Sequence, residues 1–133
     1  MKEINCILQN NNLLLIGKKS YFDVHLNYFY DSFLNVRIAK DEASAYEMVD
    51  SQIFNVVITT NVDGPFNTKF ISKITKKHKD ILTVLLVEPC FDSSEFIVDI
   101  KMDFYCSDEK LNRMLKHCMY FKQNRKEDKL LNN

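Results

Sequence analysis

The stretch that decides the fold reads Phe54-Asn55-Val56-Val57-Ile58-Thr59-Thr60-Asn61-Val62-Asp63-Gly64. Its central residues are apolar or β-branched, and they run without interruption into polar, turn-forming residues. A short run of this kind is typical of a strand that is buried on both faces of a parallel sheet. The residues just past the carboxyl end of such a strand face the crevice in which ligands bind. Here they are Thr59, Thr60 and Asn61, and none of them is charged.

Four more segments of the chain are predicted to be strands. Residues 13–16 and 81–87 are apolar or β-branched throughout, and they end at Gly17 and at Glu88-Pro89. Residues 35–39 alternate between apolar and polar side chains, which indicates a more exposed strand. Residues 103–106 are predicted to form a short final strand.

In the segments between these strands, apolar residues at helical spacing and capping residues predict helices. The charged, polar tail that follows the last helix is expected to fray. The apolar positions are Phe22, Leu26, Phe29, Tyr30 and Phe33 in the first helix, and Leu111, Met114, Leu115 and Cys118 in the last. The predicted helices cover residues 21–33, 42–49 after an Asp41 cap, 67 or 68 to 78, 93 or 94 to 100, and a last helix capped by Ser107 or Asp108.

The alternation of strands and helices predicts the fold class. Consecutive parallel strands need helix-length crossovers, and right-handed crossovers place helices on both faces of the sheet. We therefore expect a doubly wound, three-layer αβα sandwich with a five-stranded parallel sheet, of the flavodoxin-like type. Residues 1–12 form an N-terminal lead-in, residues 13–122 the domain, and residues 123–133 a charged tail or linker.

Composition narrows the functional classes. The 133 residues are 46% hydrophobic, and 18 basic residues balance 18 acidic ones. The chain therefore has no net attraction to nucleic acid or to an anionic membrane. The lysines near residues 76–79 are interpreted as a solvated helix end that complements the helix dipole. With no signal-peptide pattern and no membrane-length apolar stretch, we expect a soluble, cytoplasmic protein.

The cysteines and histidines predict neither disulfides nor a metal site. They form no CxxC pair and do not stand at metal-ligand spacing, so four reduced thiols are the simplest interpretation. No metal or other cofactor is expected. These residues are Cys6, Cys90, Cys106 and Cys118, and His25, His78 and His117.

The spacing of these units resembles the receiver domain of two-component response regulators, the CheY-like family. The likeness covers residues 12–121 and lies in spacing more than in motif. Asp41-Glu42-Ala43-Ser44-Ala45 resembles a segment of the family's second helix, residues 54–60 resemble the strand that ends in its phosphoacceptor, and Lys101-Met102-Asp103-Phe104-Tyr105 is similar to its approach to strand five.

The resemblance implies a site for phosphoryl transfer. In the family, two acids after strand one and an aspartate ending strand three hold Mg²⁺, and that aspartate accepts the phosphoryl group. A hydroxyl residue after strand four and a lysine after strand five complete the site. Carboxylates suit a hard cation, and the lysine neutralises the transferring group. The resemblance places the acid pair on Gly17 and Lys18, the acceptor on Thr60, the hydroxyl on Val87 and the lysine on Ser107.

All five positions depart from the family pattern, so the resemblance implies a pseudo-receiver with no catalytic residue. Asp23 and Glu88 lie near the same sheet edge in sequence terms, and Asp63 falls three residues past the acceptor position, too far to be the nucleophile. Lys18 leaves open a weak anion or small-ligand site at the strand ends, against the simpler interpretation of a solvated lysine.

The resemblance also implies an interaction surface. Receiver domains dimerise through helix four, strand five and helix five, and the position of their switch aromatic falls on Phe104. The predicted surface comprises Phe104, Tyr105, Leu111 and Lys116. The expected partner is another protein or a second copy of the chain, with no nucleic acid or membrane bound by this domain.

The leading hypothesis is a non-catalytic signalling module of the two-component type that acts through protein contacts. A first alternative is the N-terminal regulatory domain of a longer protein, with residues 122–129 as a linker helix. A second is a small-ligand sensor at the strand ends, although the two glycines, Gly17 and Gly64, form no phosphate-binding loop. An enzyme is the least favoured class, because no nucleophile lies beside a histidine in any recognisable motif.

Overall fold

A computed structural model of the protein describes residues 7–61, 68–88 and 97–131. It contains one parallel sheet in which the strands stand in the order β2-β1-β3-β4-β5. The strands are β1 (Asn12–Ile16), β2 (Asn35–Ala39), β3 (Val56–Thr60), β4 (Leu82–Val87) and β5 (Ile100–Asp103).

Four α-helices connect or follow these strands in the described part of the chain. They are α1 (Leu26–Ser32), α2 (Glu42–Ser51), α3 (Thr68–Lys77) and α4 (Asp108–Leu131). Two 3-10 turns, Ile7–Asn10 and Lys19–Phe22, precede β1 and α1.

The sheet separates two apolar clusters because successive strand residues point to opposite faces. On one face, Leu13 and Leu15 of β1 pack with α1 and α4. On the other face, Leu14 and Ile16 pack with α2 and α3. All five residues of β3 are buried, as a central strand covered on both faces requires. The predicted three-layer αβα sandwich is confirmed.

Local capping explains where two of the helices begin. The Asp41 carboxylate accepts a hydrogen bond from the Ser44 amide at 2.8 Å, which fixes the start of α2. The Ser107 hydroxyl accepts one from the Lys110 amide at 3.1 Å, which fixes the start of α4. Both caps satisfy amides that have no partner within the helix, and both follow the sequence prediction.

The first predicted helix is interrupted. Residues 19–22 form a 3-10 turn, and α1 begins only at Leu26. The intervening His25 has backbone angles outside the helical range, and its side chain bonds to the β5–α4 connection. Tyr30, predicted on the apolar face, is about half exposed. Long-range contacts therefore override the helical pattern of residues 21–33.

The last strand and the helix predicted before it were placed wrongly. Strand β5 spans Ile100–Asp103 and not residues 103–106, and residues 97–100 are not helical. Residues 93–96 lie outside the described part of the chain. β5 is an edge strand in which buried Ile100 and Met102 alternate with exposed neighbours, and the chain turns at Phe104 and Tyr105. This one-sided pattern is too short to stand out in the sequence.

The sequence predicts that the tail frays after residue 122, whereas the structure continues α4 as a helix to Leu131. Lys122 holds the helix in place through hydrogen bonds from its Nζ to the Ile81 carbonyl, at 2.6 Å, and to the Asp99 carboxylate, at 2.7 Å. The side-chain amide of Gln123 donates a hydrogen bond to the side-chain oxygen of Asn11 at 3.3 Å, next to the turn at Ile7–Asn10. In the described part of the N-terminal lead-in, Ile7–Asn10 thus forms a 3-10 turn.

Candidate functional site at the carboxyl edge of the sheet

The carboxyl ends of the strands meet at one edge, as the parallel arrangement requires. The register pairs Ile16 with Thr59 and Thr60 with Leu86. Val87 pairs with Asp103 at the end of β5. The edge therefore brings together the segments that follow β1, β3, β4 and β5, where the fold places ligand sites.

Gly17 ends β1 with a backbone φ of 138°, a value that side chains rarely allow. Its amide donates a hydrogen bond to the Ala39 carbonyl at 2.8 Å, which ties β1 to the end of β2. A Cβ at this position would lie 3.2 Å from Cδ2 of Tyr21. The site where the family carries an acid is therefore built around a glycine.

Lys18, the second acid position, faces an aromatic ring. Its Nζ lies 5.8 Å from the centroid of Tyr21, within range of a cation–π contact. The positive charge of this ammonium group would repel a divalent cation, even with acidic side chains nearby. The proposed anion site around Lys18 remains a prediction.

The end of β3 is buried and neutral. The Thr59 hydroxyl donates to the Ile16 carbonyl at 3.0 Å, so it joins β3 to β1. Thr60 is only 2% exposed. The Asn61 side-chain oxygen accepts from the Glu88 amide at 2.9 Å, which joins β3 to the segment after β4. These polar side chains hold neighbouring strand ends together.

Two carboxylates lie at the other end of the edge. Asp103 ends β5 and accepts a hydrogen bond from the Tyr105 amide at 2.7 Å. The Tyr105 hydroxyl donates to Glu88 at 3.5 Å. The residue beside Val87 at the end of β5 is thus acidic. Ser107, predicted at the lysine position, lies four residues past the end of β5 and caps α4.

Mg²⁺, which the receiver resemblance implies, does not fit these residues. The positions matched to its ligands are a glycine, a lysine and a buried threonine, and none supplies a carboxylate oxygen. Within residues 7–61, 68–88 and 97–131, no three His, Cys, Asp or Glu side chains stand close enough to hold a metal ion. Asp23 is exposed beside the 3-10 turn, and Asp63 lies outside the described residues.

His25 is the residue of this region that sequence reasoning did not single out. It is 1% exposed, and its Nδ1 lies 2.5 Å from the Asp108 carboxylate. Its Nε2 lies 3.2 Å from the Phe104 carbonyl. Its sequence signal is its spacing, three residues after Phe22 and four before Phe29, which places it on the buried face of a helical pattern. His25 joins the β1–α1 connection to the β5–α4 connection.

The predicted interaction surface is only partly exposed. Leu111 is fully buried and Phe104 is 7% exposed, so neither can contact a partner without leaving the core. Tyr105 is 63% exposed, and Lys116 is partly buried. The surface named from the resemblance therefore mixes core and surface positions.

A partly exposed apolar strip runs along α4. Met114, Cys118 and Phe121 follow one another at steps of four and three, which places them on one side of the helix. They lie about half a turn from Asn112. Asn112 accepts a hydrogen bond from Tyr28 at 2.8 Å at the α1 contact. Phe121 is 61% exposed. The strip therefore lies on the side of α4 away from the Tyr28 contact with α1.

Burial affects the ionisable groups around α4. Burial raises the pKa of the Tyr28 phenol, and the Asp108 carboxylate raises it further. Burial also raises the pKa of the Cys106 and Cys118 thiols. Both thiols are unpaired, as the sequence predicts, whereas Cys6 and Cys90 lie outside the described residues. None of these groups is activated as a nucleophile.

Comparison with known proteins tests the fold. No model of a known protein family matches the sequence, and neither does any curated protein. The signal receiver domain of an HD domain-containing protein from Pseudomonas fluorescens Pf-5 superposes with a TM-score of 0.74 at 13% identity, over 90% of this chain and 93% of that one. A CheY-like response regulator receiver domain protein from Methanospirillum hungatei JF-1 gives 0.71 at 12%, over 87% and 98%. The chain has a receiver-domain fold.

The receiver fold also matches part of a larger protein. An anti-anti-sigma factor PhyR variant from Bartonella quintana superposes with a TM-score of 0.69 at 11% identity, over 92% of this chain and 54% of that one. At such identities the likeness establishes the receiver fold, and the chemistry of this chain follows from its own residues. No described helix has the length and apolar character required to cross a bilayer.

Proposed function

We propose that this chain is a receiver-like signalling module that acts through protein contacts without aspartyl phosphorylation. The observation that carries the proposal is the end of β3, where the acceptor position is a neutral, buried threonine. Phosphoryl transfer in this fold needs an anionic nucleophile and a cation that neutralises charge in the transition state. Thr60 supplies neither.

The rest of the edge supports the same conclusion. Gly17 leaves no room for an acid without strain, and Lys18 brings a positive charge to the place of the second acid. Asp103 brings a negative charge beside Val87 at the end of β5. The sign of charge is thus reversed at Lys18 relative to the family pattern, and no step of phosphoryl transfer can be assigned to these residues.

The test is incubation with acetyl phosphate and Mg²⁺, followed by intact-mass analysis. We expect no mass increase for the wild type or for Thr60→Ala, while an active receiver domain treated alongside gains one phosphoryl group. A phosphoryl adduct on the wild type that disappears in Thr60→Ala would refute the proposal.

The interaction surface is proposed to be the apolar strip of Met114, Cys118 and Phe121, together with the exposed Tyr105, and its partner a second copy of the chain. Met114 and Phe121 of the strip are exposed and Cys118 is partly buried. Within the part of the chain that the structure describes, β5 is an edge strand of the sheet. A two-fold dimer would cover the same strip on both copies.

Sedimentation velocity across a range of protein concentrations tests the dimer. We expect Phe121→Glu to abolish association, because a charge on the strip would be buried between the copies. Tyr30→Glu is the matched control, since Tyr30 is an exposed aromatic residue on α1. A strictly monomeric wild type, or equal effects of both substitutions, would exclude this surface.

A second candidate function is regulation of a further domain. The length of α4 favours it, since its 24 residues extend past Lys122 and Gln123, which bond to the rest of the domain. A helix of this kind can transmit a change in the domain to a following segment. A natural reading frame that ends at Asn133 would exclude such an output domain on the C-terminal side.

A further inference from the structure

A groove lies between the C-terminal halves of α2 and α3. Helices of a parallel αβ fold run opposite to the strands, so these halves lie toward the amino edge of the sheet, far from the candidate site. They also lie on the opposite face of the sheet from α4. The groove has a volume of about 380 Å³. Its lining residues are Tyr46, Val49, Asp50, Lys73, Ile74, Lys76, Lys77 and His78.

The floor of the groove is apolar and is held by the core. Ile74 belongs to the cluster beneath α2 and α3, and Val49 packs against that cluster. The Tyr46 ring meets Phe70 edge-to-face at a centroid distance of 4.3 Å. Phe70 is itself buried. Tyr46 therefore forms a wall of the groove. Its packing on Phe70 holds the ring in place, and the ring remains exposed toward the groove.

The rim of the groove carries excess positive charge. Three lysines and a histidine face one acid, Asp50. Lys76 and Lys77 lie in the last turn of α3, where positive charge complements the helix terminus. Lys73 lies one turn earlier, so the dipole does not account for it. Among the residues that the structure describes, none of these three lysines is in an ion pair.

We propose that the groove binds a small organic anion with an apolar aromatic or aliphatic body. The volume is that of a small-molecule site, and such sites combine apolar walls with a few polar groups. The body would lie on Tyr46, Val49 and Ile74, and the anionic head would meet the lysine rim. The balanced charge of the whole chain argues against a polyanion as the ligand. The proposal is independent of the α4 strip.

Two dyes that share an apolar body but differ in charge test this proposal. The anionic probe is 1-anilinonaphthalene-8-sulfonate, and its neutral counterpart is N-phenyl-1-naphthylamine. We expect saturable binding of one anilinonaphthalene sulfonate per chain, and binding of the neutral dye at least about tenfold weaker. Amide chemical-shift changes on adding the sulfonate should fall on α2 and α3. Near-UV circular dichroism establishes that the chain stays folded.

Matched charge variants locate the binding site. Lys73→Gln/Lys77→Gln should weaken binding of the sulfonate about tenfold and leave that of the neutral dye unchanged. Lys110→Gln/Lys116→Gln on α4 removes the same charge elsewhere and should leave both affinities unchanged. Equal affinity for the two dyes, or equal loss in both double variants, would overturn the proposal. The proposal would also be overturned if an acidic amphipathic peptide shifted the amide resonances of α2 and α3 and the sulfonate did not.

Discussion

His25 has both ring nitrogens next to atoms that accept hydrogen bonds. One is the carboxylate of Asp108 and the other is the carbonyl of Phe104. Each ring nitrogen is therefore within hydrogen-bond distance of an oxygen on a different part of the β5–α4 region. Because the ring is buried, its loss would leave the Phe104 carbonyl without a partner. A single side chain thus fixes the position of the β5–α4 connection relative to α1.

We predict that His25→Ala lowers the free energy of unfolding by about 3 kcal/mol, from a lost buried hydrogen-bond pair and an unfilled cavity. Urea unfolding followed by far-UV circular dichroism measures the change. Tyr30→Ala, on the exposed side of α1, should stay within about 0.5 kcal/mol of the wild type. A change below about 1 kcal/mol for His25→Ala would mean that the two hydrogen bonds contribute little.

Gly17 makes the lost acid position difficult to restore. Gly17→Asp should lower the free energy of unfolding by about 2 kcal/mol, because an L-residue is strained at this φ. Adding Tyr21→Ala removes the ring that a Cβ would approach at 3.2 Å but leaves the backbone strain in place. The double variant should therefore stay less stable than Tyr21→Ala by itself. Equal stability of those two proteins in urea unfolding would contradict the strain argument.

Helix α2 depends on its N-cap residue, Asp41. The Ser44 amide holds the pKa of the Asp41 carboxyl below its usual value by donating a hydrogen bond to it. A lowered pKa in the folded state means that the cap stabilises the protein above the pKa of the unfolded state, near 3.8. That stabilisation is lost as the pH falls through the folded-state pKa.

Asp41→Ala should lower the melting temperature by a few degrees at pH 7, and the difference from the wild type should vanish toward pH 2. Asp41→Asn keeps a capping oxygen that does not titrate, so it should stay near the wild type at pH 7 and lose this part of the pH dependence. Thermal melts at several pH values compare the three proteins. A constant deficit of Asp41→Ala down to pH 2 would disprove the assignment.

The sequence prediction and the structure disagree on the elements whose bounds depend on contacts between distant residues. Strand β5 is set by its pairing with β4 and by Asp99, whose carboxylate accepts from the Thr83 amide at 3.0 Å. Helix α4 extends past residue 122, where Lys122 bonds it to Ile81 and Asp99. The strong helix formers among residues 125–131 then favour its continuation.

At the scale of the whole molecule, the two faces of the sheet are assigned different roles. The face of α1 and α4 is proposed to carry the self-association strip, and the face of α2 and α3 the ligand groove. The carboxyl edge between them holds hydrogen bonds that join strand ends, such as those of Thr59 and Asn61. In a receiver scaffold with such an edge, the sheet connects the proposed strip on one face with the proposed groove on the other.

Self-association through the strip predicts a melting temperature that rises with protein concentration, because a dimer stabilises the folded state by mass action. The wild type and Tyr30→Glu should show this rise, whereas Phe121→Glu should melt at the same temperature at every concentration. Differential scanning calorimetry over a hundredfold range of concentration provides the measurement. A rise retained in Phe121→Glu would place the interface elsewhere.

The sequence by itself determined the parallel sheet, its first four strands, the Asp41 cap and the neutral end of β3, and it left Ser107 and Asp108 as alternatives for the cap of α4. These features follow from local patterns of apolar, capping and turn residues, which are present in the chain before any tertiary contact forms. The tertiary structure decided the break before α1, the ends of β5 and α4, and the groove between α2 and α3. These depend on residues far apart in the chain, such as His25 and Asp108, which are 83 positions apart. No local pattern encodes such a contact, because it exists only once the helices have packed on the sheet.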